Sequence, residues 1–92
     1  MIETVIVSIT GKVQGVFFRI ETQRAALDKG LTGYVRNMPD GSVQALFQGD
    51  LRCIEKMIAW CRQGPPHSRV DGVTSQSIQL VDNLTGFDIR YS

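Results

Sequence analysis

The first place where residue types and spacing could do chemistry is Gly11-Lys12-Val13-Gln14-Gly15-Val16-Phe17-Phe18-Arg19. Two glycines four residues apart, between a strand-like and a helix-like segment, can turn backbone N–H groups inward as a concave nest for an anion. A helix start just behind adds unpaired donors and the positive end of its dipole. Glycine at position 15 lets an anionic oxygen approach the backbone with no Cβ in the way. Arg19 would add a planar, permanent charge able to meet two oxygens of a phosphoryl group. The alternative is a tight turn with a solvated first-turn arginine. A nucleotide P-loop is excluded because Gly11-Lys12 is followed by Val13 and position 6 is Ile. A dinucleotide fingerprint lacks its third glycine. The second place is Asn37, where a strand-like segment meets the turn Met38-Pro39-Asp40-Gly41. An amide there can cap the turn or orient a water.

The elements that must position these residues follow from periodicity. Val5, Val7 and Ile9 alternate with Ile6, Ser8 and Thr10, predicting a strand over 4–10 with one buried face. Residues 19–29 favour helix, with Phe18, Thr22, Ala25 and Ala26 inward and Gly30 as the stop. A strand over 31–37 turns back into one over 42–48, with Leu31, Gly33 and Val35, then Val43, Ala45 and Phe47, on the buried side. Leu51, Ile54, Met57, Ile58 and Cys61 mark a second helix, capped by Asp50 and ended by Gly64-Pro65-Pro66. Strands over about 70–80 and 87–91 complete the chain; Phe87, Ile89 and Tyr91 alternate in the last. The order predicts an α+β chain: a ferredoxin-like, split βαβ two-layer sandwich. Its antiparallel sheet carries two helices on one face and an extra C-terminal strand. That architecture hosts many functions and selects none.

Composition narrows the classes. Ninety-two residues, 42% of them hydrophobic, make a single domain over 1–92. A net charge of +1 gives no bulk field for nucleic acid or an anionic membrane, so any anion site is local. Neither a leader nor a spanning stretch of about eighteen apolar residues is present, so the expectation is a cytoplasmic monomer with no membrane or nucleic-acid partner. Cys53 and Cys61 stand about 12 Å apart along one helix, too far for a disulfide. With His67 alone they complete no zinc site, so no metal or cofactor is expected. His67 reads as a solvated loop residue, Trp60 as a packing residue, and Asp71 and Asp88 as surface charges.

Gly11-x-Val13-Gln14-Gly15-Val16-x-Phe18-Arg19 resembles the first signature of the acylphosphatases. Gly33-Tyr34-Val35-Arg36-Asn37-x-x-x-Gly41-x-Val43, followed by Gly49, is similar to their second. The likeness spans nearly the whole chain, and Gly64-Pro65-Pro66 also fits. It departs at Lys29, where a leucine usually precedes the glycine that closes the first helix. The resemblance implies hydrolysis of the carboxyl–phosphate bond of small acyl phosphates, releasing a carboxylate and inorganic phosphate. It implies that Arg19 binds phosphate and Asn37 positions the water. The backbone amides of Gln14, Gly15, Val16, Phe17 and Phe18 would cradle the phosphoryl oxygens. Such a reaction needs no general acid, because the leaving carboxylate is already good. Positioning and charge stabilisation can carry it without a metal. The competing expectations are a phosphate-binding domain without turnover and an RNA-binding module. The RNA-binding module lacks exposed aromatics on the central strands. A further one is a domain of a larger maturation enzyme; the end of the sequence at Ser92 favours a free-standing enzyme.

Overall fold

β-branched alternation builds the first strand, β1 (Ile2–Lys12), which lies inside the sheet and is paired along both edges. The computed structural model describes residues 1–91, so Ser92 of the expected 1–92 domain lies outside the described residues. The other elements are α1 (Phe18–Asp28), β2 (Thr32–Asn37), β3 (Val43–Asp50), α2 (Leu51–Gln63), β4 (Arg69–Ile78) and β5 (Phe87–Arg90). β1 runs longer than its alternating core because both neighbours hold its ends, Ile2 opposite Asp50 and Lys12 opposite Arg69. β4 stops short of Leu80 because its ladder with β1 ends at Ile78 opposite Thr4.

The sheet order is β4-β1-β3-β2-β5. Four strands pair antiparallel, as the element order predicts, and the fifth adds parallel to β2, making the sheet mixed. The reason is directional. β4 finishes at one end of the sheet, and only residues 79–86 separate it from β5. Crossing four inter-strand gaps takes about 19 Å, within the roughly 27 Å that eight extended residues can span. The chain therefore re-enters from the same end and runs alongside β2. Gln48 ties this crossover down: its Oε1 accepts from Val81 N at 2.8 Å and its Nε2 donates to Val81 O at 3.1 Å.

The core lies between the sheet and the helices. Val5, Val7, Ile9, Val35, Val43, Ala45, Phe47 and Phe87 meet Phe18, Ala26, Ile54, Met57 and Cys61. Burying a side chain the size of Phe18 or Phe47 contributes about 1.5–3 kcal/mol. Phe47 stacks on Phe87 at 5.6 Å, and Phe18 meets Trp60 edge-on at 5.8 Å. Gly33 is required where it stands: at φ 144° a Cβ would fall 1.7 Å from Leu46 O. The inner stripe of α2 starts at Ile54 rather than Leu51, which is exposed at the helix start and donates its N–H to Met1 O at 3.0 Å. Lys29 caps α1, its N–H reaching Ala25 O and Ala26 O, and the buried Leu31 follows.

Candidate active site

β1, β2 and β5 run in one direction, since β1 and β2 both oppose β3 and β5 parallels β2. Their C-terminal ends therefore meet at one end of the sheet. The segment after β1 is the glycine-bearing loop, the last residue of β2 is Asn37, and Tyr91 follows β5. Residues 71 positions apart are brought into hydrogen-bond contact this way.

The loop is curled by two left-handed residues, Gly15 at φ 74° and Phe17 at φ 63°, ψ 21°. Phe17 is also the N-cap of α1 and supplies no side-chain cap. Among the described residues, no backbone N–H from Gln14 to Phe17 donates to a main-chain carbonyl. A Cβ built on Gly15 would meet no atom within 4 Å. The loop thus offers unspent donors around open space, the arrangement of an anion-binding nest, with the positive end of α1 behind it.

A cavity of about 290 Å³ occupies this end, lined by Gly15, Phe17, Arg19, Ile20, Asn37 and Tyr91, with Val13, Phe18 and Ile89. Among the described residues, no side-chain carboxylate, imidazole or thiol lines it. Of the residues expected to form the cradle, Gly15, Phe17 and Phe18 reach this cavity. Val16 instead lines a neighbouring one with Phe17, Glu21, Pro65, Pro66 and His67. Trp60 packs as expected, His67 is exposed, and Asp71 and Asp88 are at the surface, Asp71 paired with Arg69.

Arg19 is half-buried and, among the described residues, in no ion pair. One Nη1 donates to Arg90 O at 3.3 Å, and the guanidinium carbon lies 4.8 Å from the centre of the Tyr91 ring. Arg90 in turn sits 3.9 Å over the ring of Tyr34. These contacts fix the arginine's plane and leave its other N–H groups for a ligand. Asn37 Oδ1 is buried and, among the described residues, accepts no hydrogen bond. A buried acceptor without a donor costs about 1–3 kcal/mol, so a site that retains one invites a functional reading.

The hairpin turn beyond Asn37 is clamped twice. Asp40 Oδ1 accepts from Ser42 N at 3.0 Å and Ser42 Oγ at 2.6 Å, and the side-chain bond to Ser42, with the backbone one, holds the Asp40 carboxyl below its ordinary value. Gln14 Nε2 donates to Met38 O at 2.8 Å and to Ser42 O at 2.9 Å, joining the loop after β1 to this turn. The sequence signalled Gln14 as an amide of the cradle but not its side chain as a brace. It gave no sign of the Arg90, Tyr91 and Tyr34 contacts.

The acylphosphatase family model matches residues 5–89. An acylphosphatase of Rubrobacter xylanophilus is 43% identical over 84 residues, 91% of this chain and 76% of that one. The structure of an acylphosphatase from Coxiella burnetii superposes with a TM-score of 0.91 at 34% identity, covering 97% of this chain and 93% of that chain. The chain also resembles part of T. kodakarensis HypF, at 29% identity and a TM-score of 0.83, over 12% of that longer protein. On the family model and the identity to relatives covered over most of their length, this chain belongs to the acylphosphatase family.

Proposed function

We infer that the chain hydrolyses the carboxyl–phosphate bond of small acyl phosphates, yielding a carboxylate and inorganic phosphate. The observation that carries this is the pairing, in one cavity, of a guanidinium held by its neighbours with a buried amide oxygen and a loop of N–H groups that find no partner among the described residues. In this reading the amides of Gln14, Gly15, Val16, Phe17 and Phe18 and the free N–H groups of Arg19 hold the phosphoryl oxygens. They stabilise the charge that gathers there as the bond breaks. Asn37 Oδ1 accepts an O–H from the attacking water and holds its lone pair toward phosphorus. As the new P–O bond forms, the bond to the acyl oxygen breaks and the carboxylate leaves as its own anion. The water's proton passes to a phosphoryl oxygen.

The reaction is proposed to run without a metal: arginine and amides suit an anion and repel a cation, and among the described residues the cavity wall carries no side-chain carboxylate. We read residues 1–92 as one such domain, acting as a cytoplasmic monomer. Among the described residues no helix is long and apolar enough to cross a membrane, and the unpaired thiols Cys53 and Cys61 suit a reducing compartment. Nucleic acid is not a proposed partner, since Phe47 is spent in the core against Phe87 rather than offered to bases. The test is turnover of benzoyl phosphate with and without excess chelator. Equal rates are expected. Loss of activity on chelation, restored by magnesium, refutes the metal-free mechanism; no turnover in either condition refutes the hydrolase reading.

A further inference from the structure

Asn37 Oδ1 is buried at the floor of the cavity, whereas Tyr91, Phe17 and Ile20 are 80%, 71% and 42% exposed at its mouth. In-line displacement puts the leaving group on the side of phosphorus away from the water. With the water at the floor, the acyl group must point out through the mouth. The cavity, at about 290 Å³, is larger than a phosphoryl group alone would fill. We infer that Phe17, Ile20 and Tyr91 form the acyl subsite and favour substrates with an aromatic or bulky apolar acyl body. This rests on the hydrolase reading above and extends it to substrate class.

Two further features support it. Phe17 holds a left-handed backbone, which is rare for a bulky residue and strained by about 1–3 kcal/mol. Its ring is not retained for packing, because most of it faces solvent. An exposed aromatic kept at a strained position beside a ligand cavity is better explained by what the ligand gains. Among the described residues, the wall also bears no cationic side chain other than Arg19, whose task is the phosphate. A negatively charged acyl tail would find no partner there among the described residues, while an apolar one would be shielded from water by the apolar side chains it meets.

Tyr91 also contacts Arg19, so the test uses the other two residues. Ile20→Ser removes an exposed apolar branch, and Phe17→Asn keeps a residue that tolerates the left-handed backbone. For each variant the readout is kcat/KM with benzoyl phosphate divided by kcat/KM with acetyl phosphate. Damage to the shared phosphate cradle cancels in that ratio, and so does the intrinsic difference in reactivity when variant is compared with wild type. The ratio should fall roughly three- to tenfold in each variant, less than the loss of a group from a closed pocket because the rim is open. A ratio within about twofold of wild type for either variant overturns that residue's assignment, and for both overturns the subsite. Wild-type protein that hydrolyses acetyl phosphate but yields such unmoved ratios refutes the subsite alone. Wild-type protein that hydrolyses neither substrate refutes the underlying reading as well.

Discussion

Asn37 and Arg19 divide the work at the cavity, and substitution should separate them. Asn37→Ala removes the acceptor assigned to the water, so kcat should fall on the order of a hundred- to a thousandfold while inhibition by inorganic phosphate persists. It also removes a buried acceptor that has no partner among the described residues, a gain that offsets the packing lost with the side chain, so the unfolding free energy should not fall by more than about 1 kcal/mol. Collapse of phosphate binding together with turnover would show that Asn37 supports the anion or the hairpin instead. Arg19→Lys keeps the charge but loses the plane that Arg90 O and the Tyr91 ring hold in place. Turnover should drop at least as far and phosphate inhibition should weaken, with thermal unfolding little changed. A folded Arg19→Lys enzyme with more than about a tenth of wild-type activity would contradict the assignment. Both residues were legible in the sequence because each lies in a contiguous motif beside a strand end. Arg90, Tyr91 and Tyr34 were not, because their contacts with each other and with Arg19 arise from β5 docking beside β2, which no local periodicity encodes.

The elements impose their own demands, most clearly where the loop after β1 is tied to the β2–β3 turn. Gln14 donates twice, to Met38 O and Ser42 O, so the brace needs an amide nitrogen. Gln14→Ala should cost roughly 1–3 kcal/mol of stability and raise the KM for substrate, as the loop loses its fixed distance from Asn37. Gln14→Glu has nearly the same shape yet should be worse at neutral pH, because a carboxylate would face two carbonyls with nothing to donate. It should recover partly in acid, when the carboxyl regains an O–H. Urea melts of the two variants at pH 7 and pH 4.5 test the order; Glu behaving as well as Gln at pH 7 would show that the brace is only packing. The element sequence and both helix faces were readable from apolar spacing, and Asp50 caps α2 as expected, accepting from Arg52 N at 2.9 Å. The parallel direction of β5 was not readable, since it depends on which end of the sheet β4 leaves from. The turn's inner bonds, Asp40 to Ser42, are local and could have been anticipated from Asp preceding Gly-Ser.

Across the whole molecule, the core makes a demand on pH. Burial pushes the Cys61 thiol up to about 12 from an ordinary 9.0, with Lys29 and Arg62 offsetting part of the rise. The unfolded chain therefore loses this proton first, so the stability this thiol contributes is intact below about pH 9 and falls through the window up to about 12, by roughly 1.4 kcal/mol per pH unit. Cys61→Ala should start less stable but show a flatter decline between pH 9 and 11 in denaturant titrations; parallel declines would show that Cys61 is not the group responsible. The other whole-molecule consequence comes from where β5 sits. It is a four-residue strand at the sheet's margin, and Arg90 O and Tyr91 hold Arg19 from its far end. Short marginal segments open more readily than the body of a domain. Rising urea should therefore extinguish turnover before the fluorescence of Trp60, which reports the α1–α2 contact through Phe18. Superimposable curves would mean that β5 opens only with the whole. A gap between them would make catalysis a fraying gauge: the enzyme falls silent while nearly all of it is still native, and recovers on dilution without having to refold.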